Sequence, residues 1–149
     1  MPESLNNPTV DFLILADRAE AVNGKLYMMG GGWDRLFVVD FGQPRSISVG
    51  VGILIPWNAT NVNHTLSIRA ETQDGDELAA LTLNFKVGRP SVLGQGESQR
   101  IPLGLELPTR LPGPGTYVIK AFIDDIEQKH VVFYATLIPA PTAKMPPSG

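Results

Sequence analysis

A glycine run followed by a tryptophan, GGGW at residues 30–33, is the first place where this chain could do chemistry. Glycine-rich loops bind phosphate when lysine and a hydroxyl follow, as in GxxxxGK[ST], or when GxGxxG opens a helix. Neither pattern is present, because Trp33 follows the run directly and no helix is predicted after it. We interpret Gly30, Gly31 and Gly32 as a bend that carries the chain between sheets, with Trp33 packed as an anchor. Alternatively, Trp33 is exposed as an anchor for a protein partner.

The histidines, His64 and His130, are the candidates for a base that works near neutral pH. Neither stands in a metal or triad spacing such as HExxH or GxSxG, and each opens a predicted strand. This position favours ordinary strand-end residues. A hydrolase centred on either histidine is a further hypothesis, ranked third after the protein-interaction and ligand-binding functions described below. The chain has no cysteine, which excludes disulfides, thiolate zinc sites and cysteine nucleophiles. We predict a protein that is not an enzyme and has no cofactor.

Several aspartates fall in predicted turns, where carboxylates could hold a cation. Adjacent residues of an extended chain point to opposite faces, so Asp124 and Asp125 are predicted to form a turn and not a catalytic pair. Carboxylates on the end loops of C2-type domains bind calcium. A small-ligand or calcium-binding module that uses the end loops is therefore the alternative function, although no segment has the dense acids of a calcium loop. The acids that could meet there are Asp17, Asp34, Asp74, Asp76, Asp124 and Asp125.

Composition places the chain among single globular domains without an electrostatic attraction to nucleic acid. It has 149 residues, of which 43% are hydrophobic and 18% charged, and its net charge is -3. Phosphate backbones require clustered lysine and arginine, which the sequence lacks. The first residues do not form a basic and then apolar export signal, and the apolar run at 49–57 is too short to cross a bilayer. We expect a cytoplasmic protein that does not associate with membranes.

The elements that must position these residues are short strands. Glycine and proline, 15 and 13 in number, are spread along the chain without a period, and this pattern is typical of all-β domains. The pattern predicts an all-β fold, a single antiparallel β-sandwich, Ig-like or C2-like, with seven to nine strands. A helical turn could form at 16–22. The predicted strands are 10–16, 25–30, 33–39, 46–57, 64–71, 77–87, 100–108, 116–123 and 129–138.

Three divisions of the chain follow from these strands: an N-terminal arm at 1–9, a sandwich domain at 10–138 and a flexible proline-rich tail at 139–149. Within the sandwich, Asn23 and Gly24 predict a tight turn that folds 25–30 back on the first strand. Gly50 and Gly52 share one face of their strand, and we expect a large aromatic side chain from the facing sheet to approach them closely.

A partner surface is predicted on the hairpin at 117–138. Val118 and Phe122 share the outward face of their strand with Lys120. An exposed apolar patch usually marks a partner surface, although both faces of this hairpin could instead be buried. The leading hypothesis is a non-enzymatic protein-interaction or assembly domain that binds a protein partner or itself through this face or around Trp33. Further apolar area is predicted from Val132, Tyr134 and Ile138.

Four segments together resemble a known family. They are NGKLYMMGGGWDRL, VGILIPWN, HTLSIRAETQDG and LPGPGTYVIKAFIDD. In this order they resemble DUF6941, a bacterial domain-of-unknown-function family with a GKLY-x-x-GGGW segment and a late PG-x-Y strand. The likeness covers roughly residues 10–138. It implies a small soluble bacterial β-sandwich and brings no activity with it, and any special status of the GGGW segment depends on this resemblance.

Overall fold

A computed structural model describes residues 6–141, which form nine strands and a short 3₁₀ turn at Trp57–Ala59. Every predicted strand is present, and all except β1 begin and end within a few residues of the predicted positions. The strands are β1 (Thr9–Val22), β2 (Lys25–Gly31), β3 (Arg35–Val38), β4 (Arg45–Ile55), β5 (His64–Thr72), β6 (Glu77–Phe85), β7 (Gln99–Thr109), β8 (Gly115–Ile123) and β9 (Ile126–Leu137).

The strands form two sheets, and the predicted β-sandwich is confirmed. The four-stranded sheet has the order β2-β1-β4-β7, and the five-stranded sheet has the order β3-β9-β8-β5-β6. All ladders are antiparallel except that between β3 and β9, which is parallel and departs from the expected pattern. β3 pairs in parallel with β9 because the chain reaches β3 by crossing from the four-stranded sheet. The two strands are not joined by a hairpin, which would make them antiparallel.

The core lies between the two sheets and is built by alternate residues of the central strands. Leu66, Ile68 and Ala70 of β5 are buried, as their alternation with polar residues predicts. Tyr117 of β8 stacks on Phe133 of β9 with ring centroids 5.4 Å apart, so two large aromatics fill the centre of the five-stranded sheet's inner face.

The hairpin of β1 and β2 is longer than predicted. The segment at 16–22, where a helical turn could form, continues as strand because it pairs with β2 from Ala16↔Gly31 to Val22↔Lys25. Pairing between β1 and β4 ends at Ala16. Beyond that residue the hairpin contacts the outer face of the four-stranded sheet, and we name residues 17–31 the overlying hairpin.

Glycines on the outer face of the four-stranded sheet make this contact possible. A Cβ atom at Gly50 would lie 2.7 Å from Met28 Sδ and 2.8 Å from Leu26 Cδ2, and one at Gly52 would overlap the ring of Phe12. The expected close approach to these glycines is confirmed. The expected source is wrong, because the covering side chains belong to β1 and β2 of the same sheet and not to the facing sheet.

The outermost strands of the sandwich along the chain are β1 and β9. β1 begins at Thr9 and β9 ends at Leu137, while Pro8 in the predicted arm is fully buried. Residues 1–5 of the arm and 142–149 of the tail lie outside the described residues. Between residues 6 and 141 there is no helix long and apolar enough to span a bilayer.

Candidate interaction surface

The outer face of the five-stranded sheet carries a set of apolar side chains across three neighbouring strands. Tyr117, Ile119, Ala121 and Ile123 of β8 are buried, so the residues between them point outward. Val118 lies directly opposite Val132 in the β8–β9 ladder. We name the exposed or half-buried set on this face the outer apolar patch: Phe37, Val118, Phe122, Val132 and Tyr134.

Exposure in the outer apolar patch increases toward the edge of the sheet. Val132 and Tyr134 of β9 are 37% and 40% exposed, and Phe37 of the edge strand β3 is 60% exposed. Val118 and Phe122 of β8 are half-buried. The reading in which both faces of the hairpin are buried within the monomer is therefore wrong for β9. Ile138, the remaining apolar residue predicted for this face, is half-buried and follows the last strand, where its N–H donates to Val38 O.

Two arginines lie over aromatic rings of the outer apolar patch. The guanidinium carbon of Arg35 is 5.0 Å from the centroid of Tyr134, and that of Arg69 is 4.2 Å from the centroid of Phe122. Both distances fall within the range of favourable cation–π contact. The face therefore presents apolar groups bordered by guanidinium groups, a composition that is common at protein interfaces.

A charged network lies within the same outer face at Lys120, which stands between Val118 and Phe122 on β8. The Nζ atom of Lys120 is 3.0 Å from Glu71 Oε1 and 3.7 Å from Glu127 Oε1. The hydrogen bond to Glu71 raises the pKa of Lys120 above its usual value; desolvation opposes this change, and the charges of Glu71 and Glu127 add to it. Lys120 is therefore a paired cation within the face.

Trp33 lies inside the edge of the sandwich and is half-buried. Its ring meets Phe133 edge to face, with centroids 5.8 Å apart and planes at 83°. Its indole Nε1 is buried without a hydrogen-bond partner among the described residues. This placement agrees with a packing anchor, and it gives less support to Trp33 as an exposed contact for a partner.

The predicted turn residues lie where the chain reverses or changes sheet. Asn23 and Gly24 join β1 to β2 with φ of 51° and 74°, the left-handed values that a type I′ turn requires. Gly30 and Gly31 end β2, and Gly32, with φ of 85°, begins the crossing to β3 in the other sheet. The predicted crossing between the sheets is confirmed. At its start, the Gly32 N–H donates to Leu15 O over 2.7 Å, and this hydrogen bond holds the crossing segment against β1.

His64 is buried, and each of its ring nitrogens lies close to an oxygen atom. Its Nδ1 is 2.8 Å from Asp124 Oδ2, and its Nε2 is 3.3 Å from Ala59 O. The Thr65 N–H donates to Asp124 Oδ1 over 3.0 Å. Burial raises the pKa of Asp124, but the hydrogen bonds from His64 and Thr65 outweigh it and leave the pKa below its ordinary value. These contacts join the β8–β9 turn to the start of β5.

The other predicted polar residues remain apart. His130 is exposed, and its Nδ1 is 3.8 Å from Glu127 Oε2. Asp124 and Asp125 form the β8–β9 turn with φ of 51° and 65°, as their sequence predicts. No group of three or more His, Asp or Glu residues that could hold a metal ion occurs within residues 6–141. The aspartates of the end loops therefore do not gather there.

Two features of the structure are not predicted from the sequence. Arg89 lies over the Trp57 ring at 3.9 Å and donates to Thr60 Oγ1 over 2.6 Å and to Trp57 O over 2.8 Å, which binds the β6–β7 loop to the 3₁₀ turn. Phe37 belongs to the outer apolar patch through the parallel pairing of β3 with β9. No local signal predicts either contact, because the partners are distant in sequence.

The two sheets define a β-sandwich domain, and its five-stranded sheet exposes apolar side chains on the outer face. The chain belongs to the family described as "Family of unknown function (DUF6941)", whose model matches residues 11–136. This match confirms the family that the sequence resembles. No curated protein matches the chain in a sequence comparison.

Proposed function

We propose that this protein is a non-enzymatic bacterial β-sandwich domain, working in the cytoplasm, that binds a protein partner or a second copy of itself through the outer apolar patch. The observation that carries the proposal is the difference between the two outer faces. The overlying hairpin covers the four-stranded sheet at Gly50, whereas Val132 and Tyr134 of the other sheet remain 37% and 40% exposed, with Arg35 over one face of the Tyr134 ring. Exposed apolar surface of this kind marks a contact site in many proteins.

The composition of the patch also supports protein contact. Tyrosine, phenylalanine and arginine are enriched at protein interfaces, and burial of such side chains supplies most of the binding free energy. Val118 and Val132 lie side by side at the centre, with Tyr134 and Phe122 nearby and Arg35 and Arg69 over the two rings. A partner that covers this face would bury the apolar centre and meet the guanidinium groups around it.

The proposal is tested with Val132→Lys, which places a charge at the centre of the patch. Val92→Lys is the matched control, because Val92 is 90% exposed in the β6–β7 loop, away from the patch. Light scattering over a hundredfold concentration range measures whether the mass rises above the 16.1 kDa of one chain. A pull-down from the native host with the same three proteins detects a different partner.

We expect Val132→Lys to weaken association at least tenfold, while Val92→Lys behaves like the wild type and both variants keep the wild-type unfolding temperature. The proposal fails if the wild-type protein is monomeric and retains no partner. It also fails if Val132→Lys and Val92→Lys have the same effect.

A further inference from the structure

The overlying hairpin encloses a cleft against the outer face of the four-stranded sheet. The hairpin contacts this sheet where Leu26 and Met28 cover Gly50 and where the Ala19 backbone lies against Gly104. Beside these contacts is a cleft of about 440 Å³, which we name the hairpin cleft. This volume is within the range of small-molecule sites, roughly 300–1,000 Å³. Its side-chain lining is Arg18, Glu20, Tyr27, Met29, Ser48 and Glu106.

The charges of the hairpin cleft favour a cation. Glu20 comes from the hairpin, and Glu106 comes from β7 below it. Neither carboxylate forms an ion pair with another residue between 6 and 141, and the same is true of Arg18. Two carboxylates and one guanidinium leave a formal charge of -1 on the lining. A positively charged ligand would therefore meet a favourable potential in the cleft.

The side chain of Ser48 also faces the hairpin cleft. Ser48 of β4 is 2% exposed, lines the cleft and has no side-chain hydrogen bond to any residue in the described part of the chain. Polar groups in such positions usually have a hydrogen-bond partner. Ser48 lies directly opposite Glu106 in the β4–β7 ladder, so both side chains stand on the same face. A ligand N–H group placed at Glu106 can also donate to the Ser48 hydroxyl.

Two exposed side chains complete the wall of the cleft on the hairpin. Tyr27 is 58% exposed and Met29 is 70% exposed, and they are two residues apart on β2. A tyrosine ring attracts a cation over its face, and a methionine thioether adapts to an apolar ligand. The cleft therefore offers acceptors for an ammonium group next to an apolar surface for the rest of a small molecule.

We propose that the hairpin cleft binds a small organic cation, with its ammonium group at Glu20, Glu106 and Ser48 and its apolar body against Tyr27 and Met29. This site lies on the sheet opposite to the outer apolar patch, so it is independent of the proposed protein contact. The ligand is recognised by charge and by its apolar body, without any covalent step.

The test uses isothermal titration calorimetry of the full chain with phenethylammonium chloride at low salt. Two ligand controls carry the same phenyl ring on a short alkyl chain but differ in charge: 3-phenylpropionate is an anion, and 2-phenylethanol is neutral. We expect the ammonium probe to bind at least tenfold more tightly than either, and its affinity to fall as salt rises because charge attraction is screened.

Single substitutions then locate the binding. Glu106→Gln and Glu20→Gln should each weaken binding of the ammonium probe by threefold or more, and Arg18→Gln should strengthen it because a positive charge is removed. Glu77→Gln on β6 of the other sheet is the matched control and should leave affinity unchanged. All four variants should unfold at the wild-type temperature, since each change is on an exposed side chain.

The inference is overturned if the three probes bind alike or the ammonium probe does not bind. It is also overturned if Glu106→Gln and Glu20→Gln bind like the wild type, or if Glu77→Gln weakens binding equally. These outcomes leave the test of the outer apolar patch unaffected, because that test measures association through Val132.

Discussion

Contact between the overlying hairpin and β7 depends on the absence of a side chain at Gly104, and Gly104→Ala tests this dependence. A Cβ atom at this position would overlap the backbone C and O atoms of Ala19 and the backbone N of Glu20. Backbone atoms cannot rotate away as the end of a flexible side chain can. The hairpin must therefore shift, or the sheet must bend locally.

The expected magnitude follows from two opposing effects. Overpacking of one methyl group against fixed atoms costs about 1–3 kcal/mol. Replacing glycine by alanine also restricts the unfolded chain, which stabilises the fold by about 0.4–1 kcal/mol. The free energy of unfolding should therefore fall by about 1–2 kcal/mol, and the unfolding temperature by roughly 2–8 °C for a chain of this size.

Gly113→Ala is the matched control for this prediction. A Cβ atom at Gly113 meets no atom within 4 Å, so the same exchange adds no overlap there. Urea denaturation of the wild type and both variants gives the free energies, and amide hydrogen exchange at 18–28 reports separation of the hairpin from the sheet. Equal stability of Gly104→Ala and Gly113→Ala, with unchanged exchange in the hairpin, would refute the packing argument.

Two further predictions concern contacts between loops. Because the pKa of Asp124 is lowered in the folded state, its carboxylate stabilises the fold above the unfolded-state pKa of about 3.9, and this stabilisation is lost as the pH falls through the folded-state pKa. Asp124→Asn should therefore lower the free energy of unfolding by about 1 kcal/mol at pH 6, a small value because the Asp124 side chain is half-exposed. In urea titrations the difference between this variant and the wild type should vanish near pH 2. A difference in the free energy of unfolding that does not change with pH would contradict this prediction. Arg89→Lys should be almost as destabilising as Arg89→Ala, by about 1 kcal/mol, because a lysine cannot both cover the Trp57 ring and donate the two hydrogen bonds. Fluorescence of Trp57 should shift to longer wavelength in both Arg89 variants, and a lysine variant with wild-type stability and emission would show that the planar guanidinium is not required.

Local pattern alone predicts a large part of this fold. Alternation of Leu66, Ile68 and Ala70 with polar residues identifies a strand with one buried face, because successive side chains of an extended chain point to opposite sides. Asn23 and Gly24 predict the β1–β2 turn for a similar local reason, since both residues tolerate a left-handed backbone. These features depend on residues that are near one another in sequence.

Part of the candidate interaction surface was also visible in the sequence. The outward positions of Val118, Phe122 and Tyr134 follow from alternation along β8 and β9. Phe37 could not be assigned to the same face, because its place depends on the parallel pairing of β3 with β9. The sequence also does not determine whether the whole face is exposed to solvent. Alternation shows which side chains share one side of a strand, but it does not show what covers them.

Tertiary structure alone decided how the two outer faces differ. The sequence by itself determined short strands, tight turns and two apolar inner faces, since these depend on neighbouring residues and their periodicity. The course of the overlying hairpin depends on Ala19 meeting Gly104, and the buried polar contact depends on His64 meeting Asp124, 60 residues away. No local preference specifies such partners, because they come together only when distant strands join the same sandwich. The covered face with its cleft and the open face with its apolar patch are therefore properties of the assembled fold.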